Sequence, residues 1–221
     1  MNNSIVSSVA VVAIVAVAAG AWFLNRDAET VETSQIATED APVFDVVEMT
    51  LGNLDAAVQV IEYASYTCPH CANFHADQLP QIKANYIDTD LIGFTYREVY
   101  FDAPGLWASM VARCGNETRF FGISELLYEQ QQTWARGETG EDIITSLRNI
   151  GKVAGLTDEA LDVCLTDEAT AQELTGWYRY NADADDVQST PSFVINGEKY
   201  PNMNYADFAA VLDEKLAEAA Q

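Results

Sequence analysis

Basic residues are scarce in this chain: 11 lysines and arginines stand against 34 aspartates and glutamates, a formal charge of −23. So negative a surface repels phosphates, which argues against nucleic acid as a partner. Histidines number two and cysteines four. A structural zinc site usually wants four ligands, and Cys68–Cys71 is the sole Cys-x-x-Cys. Haem attachment of the cytochrome c type wants His directly after the second cysteine, where Ala72 stands. No metal and no bound cofactor are expected. Long apolar runs are also few. The main one, Ile5 to Leu24, has no Lys or Arg before it and is long enough to span a bilayer, for which about 20 residues suffice.

That run bears on location. Ala16-Val17-Ala18 and Ala19-Gly20-Ala21 offer small-x-small sites for signal cleavage, whereas Trp22-Phe23-Leu24 continue the run as a retained anchor would. Arg26 just beyond it favours a cytoplasmic domain by the positive-inside rule. Cysteine usage points the other way, since two cysteines outside the motif permit a second disulfide and an oxidising compartment. Export is therefore expected, with residues 1–24 a signal peptide or membrane anchor. Residues 25–42, rich in Glu, Asp, Thr and Ala, read as an acidic linker without a core of its own. The remaining 43–221 are long enough for one domain with a large insertion.

The stretch Val58-Gln59-Val60-Ile61-Glu62-Tyr63 reads as a buried strand. It runs into Cys68-Pro69-His70-Cys71, and helix-forming residues continue from Ala72 to Tyr86. A Cys-x-x-Cys where strand gives way to helix is the arrangement of a thioredoxin-like redox site. Unpaired N–H groups and the positive dipole end of the first turn favour a thiolate at Cys68. Pro69 suits the first helical position, having no N–H to lose. Cys68 is expected to be the exposed nucleophile, and Cys71, about one turn on, the buried resolving thiol.

Taken in order, Val43 to Leu51 reads as a first strand and Gly52-Asn53 as a turn. Leu91 to Tyr100 is the strand that completes a βαβ unit, with a right-handed crossover. Helical spacing then follows over Leu106–Cys114, Phe120–Trp134, Glu141–Val153, Asp158–Leu165 and Asp167–Tyr180. Thr157 and Thr166 each precede an acidic first turn and read as N-caps. So long a connection, about residues 102–186, reads as an all-helical subdomain inserted in an α/β sheet domain. Phe193–Ile195 and Glu198–Tyr200 flank the hairpin signal Asn196-Gly197, and Tyr205–Ala219 closes the chain as an amphipathic helix.

Cys68-Pro69-His70-Cys71, Glu62 six residues before it, and Thr190-Pro191 ahead of a strand and an Asn-Gly turn together resemble the DsbA family of exported thiol:disulfide oxidoreductases. The resemblance covers about residues 43 to 219 and implies a thioredoxin fold with a helical insertion. It implies a cis Pro191 facing the disulfide, and a Thr190 backbone that pairs with an extended substrate peptide like an added strand. It makes Glu62 a buried acid that moves protons as Cys71 is released. The residues alone leave open an ordinary strand carboxylate paired with a base such as Arg97, alone or alongside that role. His70 is placed to favour a Cys68 thiolate and so an oxidising disulfide, or else simply faces solvent in a turn.

Cys114 and Cys164 fall in two helices of the insertion and would form a structural disulfide if close, or pack as buried thiols if not. A second disulfide is not general in the family. Tyr66, Phe74, Tyr100 and Trp107 either line a groove for unfolded substrates or fill the core, and His75 reads as a surface or packing residue.

The function expected is a monomeric periplasmic oxidase. It would donate the Cys68–Cys71 disulfide to unfolded or reduced exported proteins and be reoxidised by a DsbB-type membrane partner. Competing readings are a disulfide isomerase or reductase, a metal-binding protein and a peptide-binding chaperone. Isomerases with an added dimerisation domain need more N-terminal sequence than the acidic linker supplies.

Overall fold

The computed structural model describes residues 42–221, so the apolar run and most of the acidic linker lie outside the described residues. Five strands form one sheet: β1 (Met49–Gly52), β2 (Val58–Ala64), β3 (Ile92–Glu98), β4 (Ser192–Ile195) and β5 (Glu198–Pro201), in the order β1-β3-β2-β4-β5. Only β2 and β3 run parallel. The others pair antiparallel, so the expected βαβ unit is the core of a mixed sheet.

Alternation along β2 assigns its two faces. Val58, Val60 and Ala64 enter the main core with Phe74, Phe193, Phe208 and Leu212. Ile61 and Tyr63 face a smaller cluster with Val99, Ala182 and Val194. Phe193 and Val194 of β4 divide in the same way. The last helix, Tyr205–Ala219, has the bounds its apolar spacing gives and packs on β2 through Phe208 and Leu212.

Helix α1 (Pro69–Asp77) starts at the Cys-x-x-Cys and stops sooner than composition suggests. It gives way at Gln78 to a short α2 (Leu79–Ile82) and a π-helical turn over Lys83–Ile87. Pro80 explains the break: it has no N–H for the ladder, and its ring restricts Leu79. The first strand is also shorter than expected, because residues 43–48 are irregular. Arg113 donates to the Val47 carbonyl at 2.9 Å, so a side chain holds this segment where a ladder does not. Gly52, with φ 74°, is required, since a Cβ there would lie 2.4 Å from the Ile92 carbonyl oxygen. Asn196 and Gly197, at φ 49° and 83°, make the two-residue hairpin turn between β4 and β5.

Between β3 and β4 come six helices: α3 (Ala103–Cys114), α4 (Asn116–Glu129), α5 (Gln131–Trp134), α6 (Gly140–Val153), α7 (Asp158–Thr166) and α8 (Glu168–Ala184). The single helix expected over Phe120–Trp134 is two, parted at Gln130. Thr157 caps α7, accepting from the Ala160 N–H at 3.2 Å. The second cap is Asp167, not Thr166: Asp167 accepts from the Thr170 N–H at 3.0 Å. Thr166 ends α7 and donates back to the Asp162 carbonyl at 2.7 Å. A carboxylate at the N-cap serves both the free N–H groups and the dipole. Cys114 and Cys164 are joined in a disulfide that ties the end of α3 to α7.

Candidate active site

Cys68 is the N-cap of α1, with extended backbone, and Pro69 holds the first helical position. The turn before it is built from small polar groups. The Cys68 N–H donates to the Ser65 carbonyl at 3.0 Å, and the Ser65 and Thr67 hydroxyls lie 3.2 Å apart. Its outer side is held from the insertion. Buried Gln131 of α5 donates through Nε2 to the Tyr66 carbonyl at 2.8 Å and the Cys68 carbonyl at 2.9 Å. Nothing in the sequence singles out Gln131, which lies far along the chain in a four-residue helix.

The two sulfurs have opposite environments. Cys68 is half-buried and Cys71 is buried, both as free thiols. The Cys71 thiol, donating to the Cys68 sulfur, is the main reason that Cys68 is lowered to about 5. Partial burial opposes this, while the Thr190 side chain and the N–H groups of Cys71 and His70 assist. Cys71 is pushed far up, first by burial, then by its bond to Cys68 and the charge of Glu62. Cys68 therefore favours the thiolate near neutral pH, and Cys71 the thiol.

Thr190 and Pro191 meet this pair from the loop before β4, joined by a cis peptide bond. As a thiol, Cys68 donates to the Thr190 carbonyl at 3.4 Å. As a thiolate it can only accept, and the Thr190 hydroxyl is then the useful group. That oxygen is buried and otherwise without a partner, so it is free to donate to the sulfur. His70 and Pro69 are exposed, and His70 assists Cys68 through its backbone N–H.

Glu62 lies fully buried on the main-core face of β2. Its partner is not Arg97. Register sets Glu62 opposite Tyr96 and Tyr63 opposite Arg97, so the Arg97 side chain belongs to the other face of the sheet. There Arg97 pairs with Glu48 at 2.6 Å and with the Tyr63 hydroxyl at 2.8 Å. Glu62 is met instead by His75, whose Nε2 lies 3.1 Å from both carboxylate oxygens. His75 is thus a nearly buried partner of the acid, its side chain 8% exposed, rather than a surface residue. A histidine one turn beyond the second cysteine, facing a strand with one acid, was the available signal.

Of the four aromatics, Tyr66 and Phe74 are core residues. Tyr100 packs on Tyr178 and bonds to Ser109, and Trp107 lies over Gly140.

A family model described as thioredoxin matches residues 45–214. A Rickettsia bellii protein with the provisional name protein-disulfide oxidoreductase is 33% identical over 173 residues, covering 78% of this chain and 66% of that protein. A similarly named Rickettsia typhi protein is 31% identical over 194 residues, covering 87% and 71%. The chain thus spans just under two thirds of the Rickettsia bellii protein, and 61% of a related one from Rickettsia felis. Among solved structures, Wolbachia pipientis α-DsbA1 superposes with a TM-score of 0.73 at 25% identity, covering 81% of this chain and 94% of that one.

Proposed function

The chain belongs to the DsbA family of thioredoxin-like thiol:disulfide oxidoreductases, and from that premise we propose that it oxidises dithiols of exported proteins through its Cys68–Cys71 disulfide. One observation carries this reading: half-buried Cys68 caps α1 above buried Cys71 and meets the cis Thr190-Pro191 turn, a setting that favours its thiolate. A substrate thiolate attacks Cys68 Sγ, the Cys68–Cys71 bond breaks, and its electron pair stays on Cys71, which takes up a proton. The second substrate thiolate then attacks the substrate sulfur of the mixed disulfide, and Cys68 departs as thiolate. The substrate loses two electrons and the Cys68–Cys71 pair gains them. A stable Cys68 thiolate makes it the better leaving group and favours the dithiol form, so the disulfide is readily given away.

Thr190 lines the approach to Cys68 and offers backbone to an extended peptide, as strand addition would use it. The same reading takes the protein to the periplasm as a monomer without other cofactor, reoxidised by a DsbB-type membrane oxidase. Among the described residues no helix is long and apolar enough to cross a membrane.

The test is the equilibrium of Cys68–Cys71 with glutathione, together with oxidation of a reduced peptide by the full chain. A disulfide on the oxidising side of thioredoxin, and activity lost in Cys68→Ala, are the expected results. A strongly reducing pair would make the protein a reductase and remove the DsbB-type partner. Peptide oxidation surviving in Cys68→Ala would remove the nucleophile.

A further inference from the structure

A fully buried carboxylate needs a partner, and among the described residues Glu62 has one, His75. The imidazole is clamped by Tyr128, with ring centroids 4.1 Å apart, and edge-on by Tyr96 at 5.7 Å and Phe74 at 5.9 Å. Cys71 is fully buried and lies one turn earlier on α1, on the same face as His75, where the Glu62 charge reaches it. His75 also lines a cleft of about 440 Å³ between α1, α2 and α4, whose walls include Ala72, Pro80, Phe121 and Gly122. Cys71 itself is sealed, so its proton needs a carrier to reach water.

We propose that His75 is a proton-relay residue of the thiol exchange, passing protons between this cleft and Glu62, which passes them to and from Cys71. The proposal rests on the oxidoreductase reading above. When a substrate thiolate opens the disulfide, the S–S electron pair remains on Cys71 Sγ. One proton then travels inward: His75 takes it up from the cleft, Nε2 passes it to the Glu62 carboxylate, and Glu62 hands it to that sulfur, so the acid ends as the carboxylate it began as. Reoxidation runs the route backwards: Cys71 gives up its proton, attacks Cys68 in the mixed disulfide and expels the partner as thiolate.

The ionisable groups around the ring leave these two as the exchanging pair. Tyr96 from β3 and Tyr128 from α4 are held far above their ordinary range by burial and stay neutral. Lys83, Glu125 and Glu129 stand at the wall of the cleft, where solvent screens them. A histidine is suited to the outer position because imidazole changes charge near neutral pH.

The first measurement needs no substitution at His75. With two histidines in the chain, NMR follows both rings against pH in the disulfide and dithiol forms of the full chain, and His70→Ala assigns them. The His75 ring signals are expected to respond to the change from disulfide to dithiol; identical signals in both forms overturn the relay. The second measurement is the rate at which Cys71 resolves a glutathione mixed disulfide at Cys68. His75→Gln keeps a donor for Glu62 but carries no proton. It is expected to slow this step by about 10²-fold and to flatten its rise between about pH 5 and 8. Added imidazole is expected to restore the rate in His75→Ala, which a merely structural histidine would not allow. A wild-type rate and pH profile in His75→Gln overturns the proposal. Failure of the oxidoreductase reading looks different, because the unsubstituted chain would then leave reduced peptides unoxidised.

Discussion

Lowering the Cys68 thiol to about 5 has a consequence for stability that can be weighed. A group whose folded value lies below its unfolded value of about 8.5 stabilises the fold fully above that unfolded value. The gain is lost as pH falls through the folded value. At pH 7 the shift corresponds to about 2.7 kcal/mol, which vanishes below about pH 5. Cys68 is only half-buried, so solvent screening reduces this to roughly 1–2 kcal/mol. The assay is urea unfolding of the full chain and of Cys68→Ser at about pH 7 and about pH 4.5, between which nearly all of the stabilisation present at pH 7 is lost. A phosphine reductant present throughout opens Cys114–Cys164 in both proteins, so that bridge cancels.

The advantage of the unsubstituted chain over Cys68→Ser should shrink by roughly 1–2 kcal/mol between the two conditions. The window stays below about pH 8 because Cys71 acts with the opposite sign: burial holds it up, and it favours the unfolded chain as pH rises past about 8.5. Thiolate absorbance provides the direct check, with one midpoint near pH 5 in the reduced chain and none in Cys68→Ser. Since the disulfide form has no thiolate to stabilise, the same energy makes the pair roughly 20–45 mV more oxidising. A midpoint near about 8.5 and an unchanged stability difference would refute the reasoning.

Opening Cys114–Cys164 releases a closure of 50 residues, so Cys114→Ala/Cys164→Ala should cost about 2–4 kcal/mol in urea unfolding while the Cys68–Cys71 equilibrium with glutathione stays put. Arg113→Met strands the fully buried Glu98, which Arg113 holds at 2.7 Å through two nitrogens and Ser109 at 2.8 Å. Thermal unfolding should report a loss of about 3–5 kcal/mol. Most of this should return in Arg113→Met/Glu98→Gln, where the stranded charge is gone.

What could be read from the sequence was local chemistry that tolerates few residue types. Pro69 at a helix start, Asn196-Gly197 in a two-residue hairpin and the apolar face of Tyr205–Ala219 all state their own conformation. Pairings across the fold were a different matter. Arg97 and Glu62 are adjacent by strand, yet the register places Arg97 beside Tyr63, and an offset of one residue is the difference between the two faces of a sheet. Gln131 reaches the Cys68 carbonyl from a four-residue helix too short to show a period. Composition also hid the stop at Gln78, because helix formers continue past Pro80 and only the proline marks the break.

The pairing that the sequence left open decides how the two sulfurs are kept apart. No lysine or arginine is among the main influences on Cys68, whose thiolate is held by a thiol, a hydroxyl and backbone N–H groups. Arg97 lies on the far face with Glu48, Tyr63 and Trp177, while Arg113 is engaged by Glu98. Had Arg97 met Glu62, a permanent positive charge would have offset the carboxylate that helps hold Cys71 protonated. With His75 there instead, the partner's charge can follow the proton. A fixed ion pair would hold Glu62 as a carboxylate, whereas in the proposed relay an imidazole opening on the cleft can resupply the proton that the acid hands on. The histidine is packed beside three aromatic rings that fix its direction, and its open side faces the cleft, as the proposed relay requires.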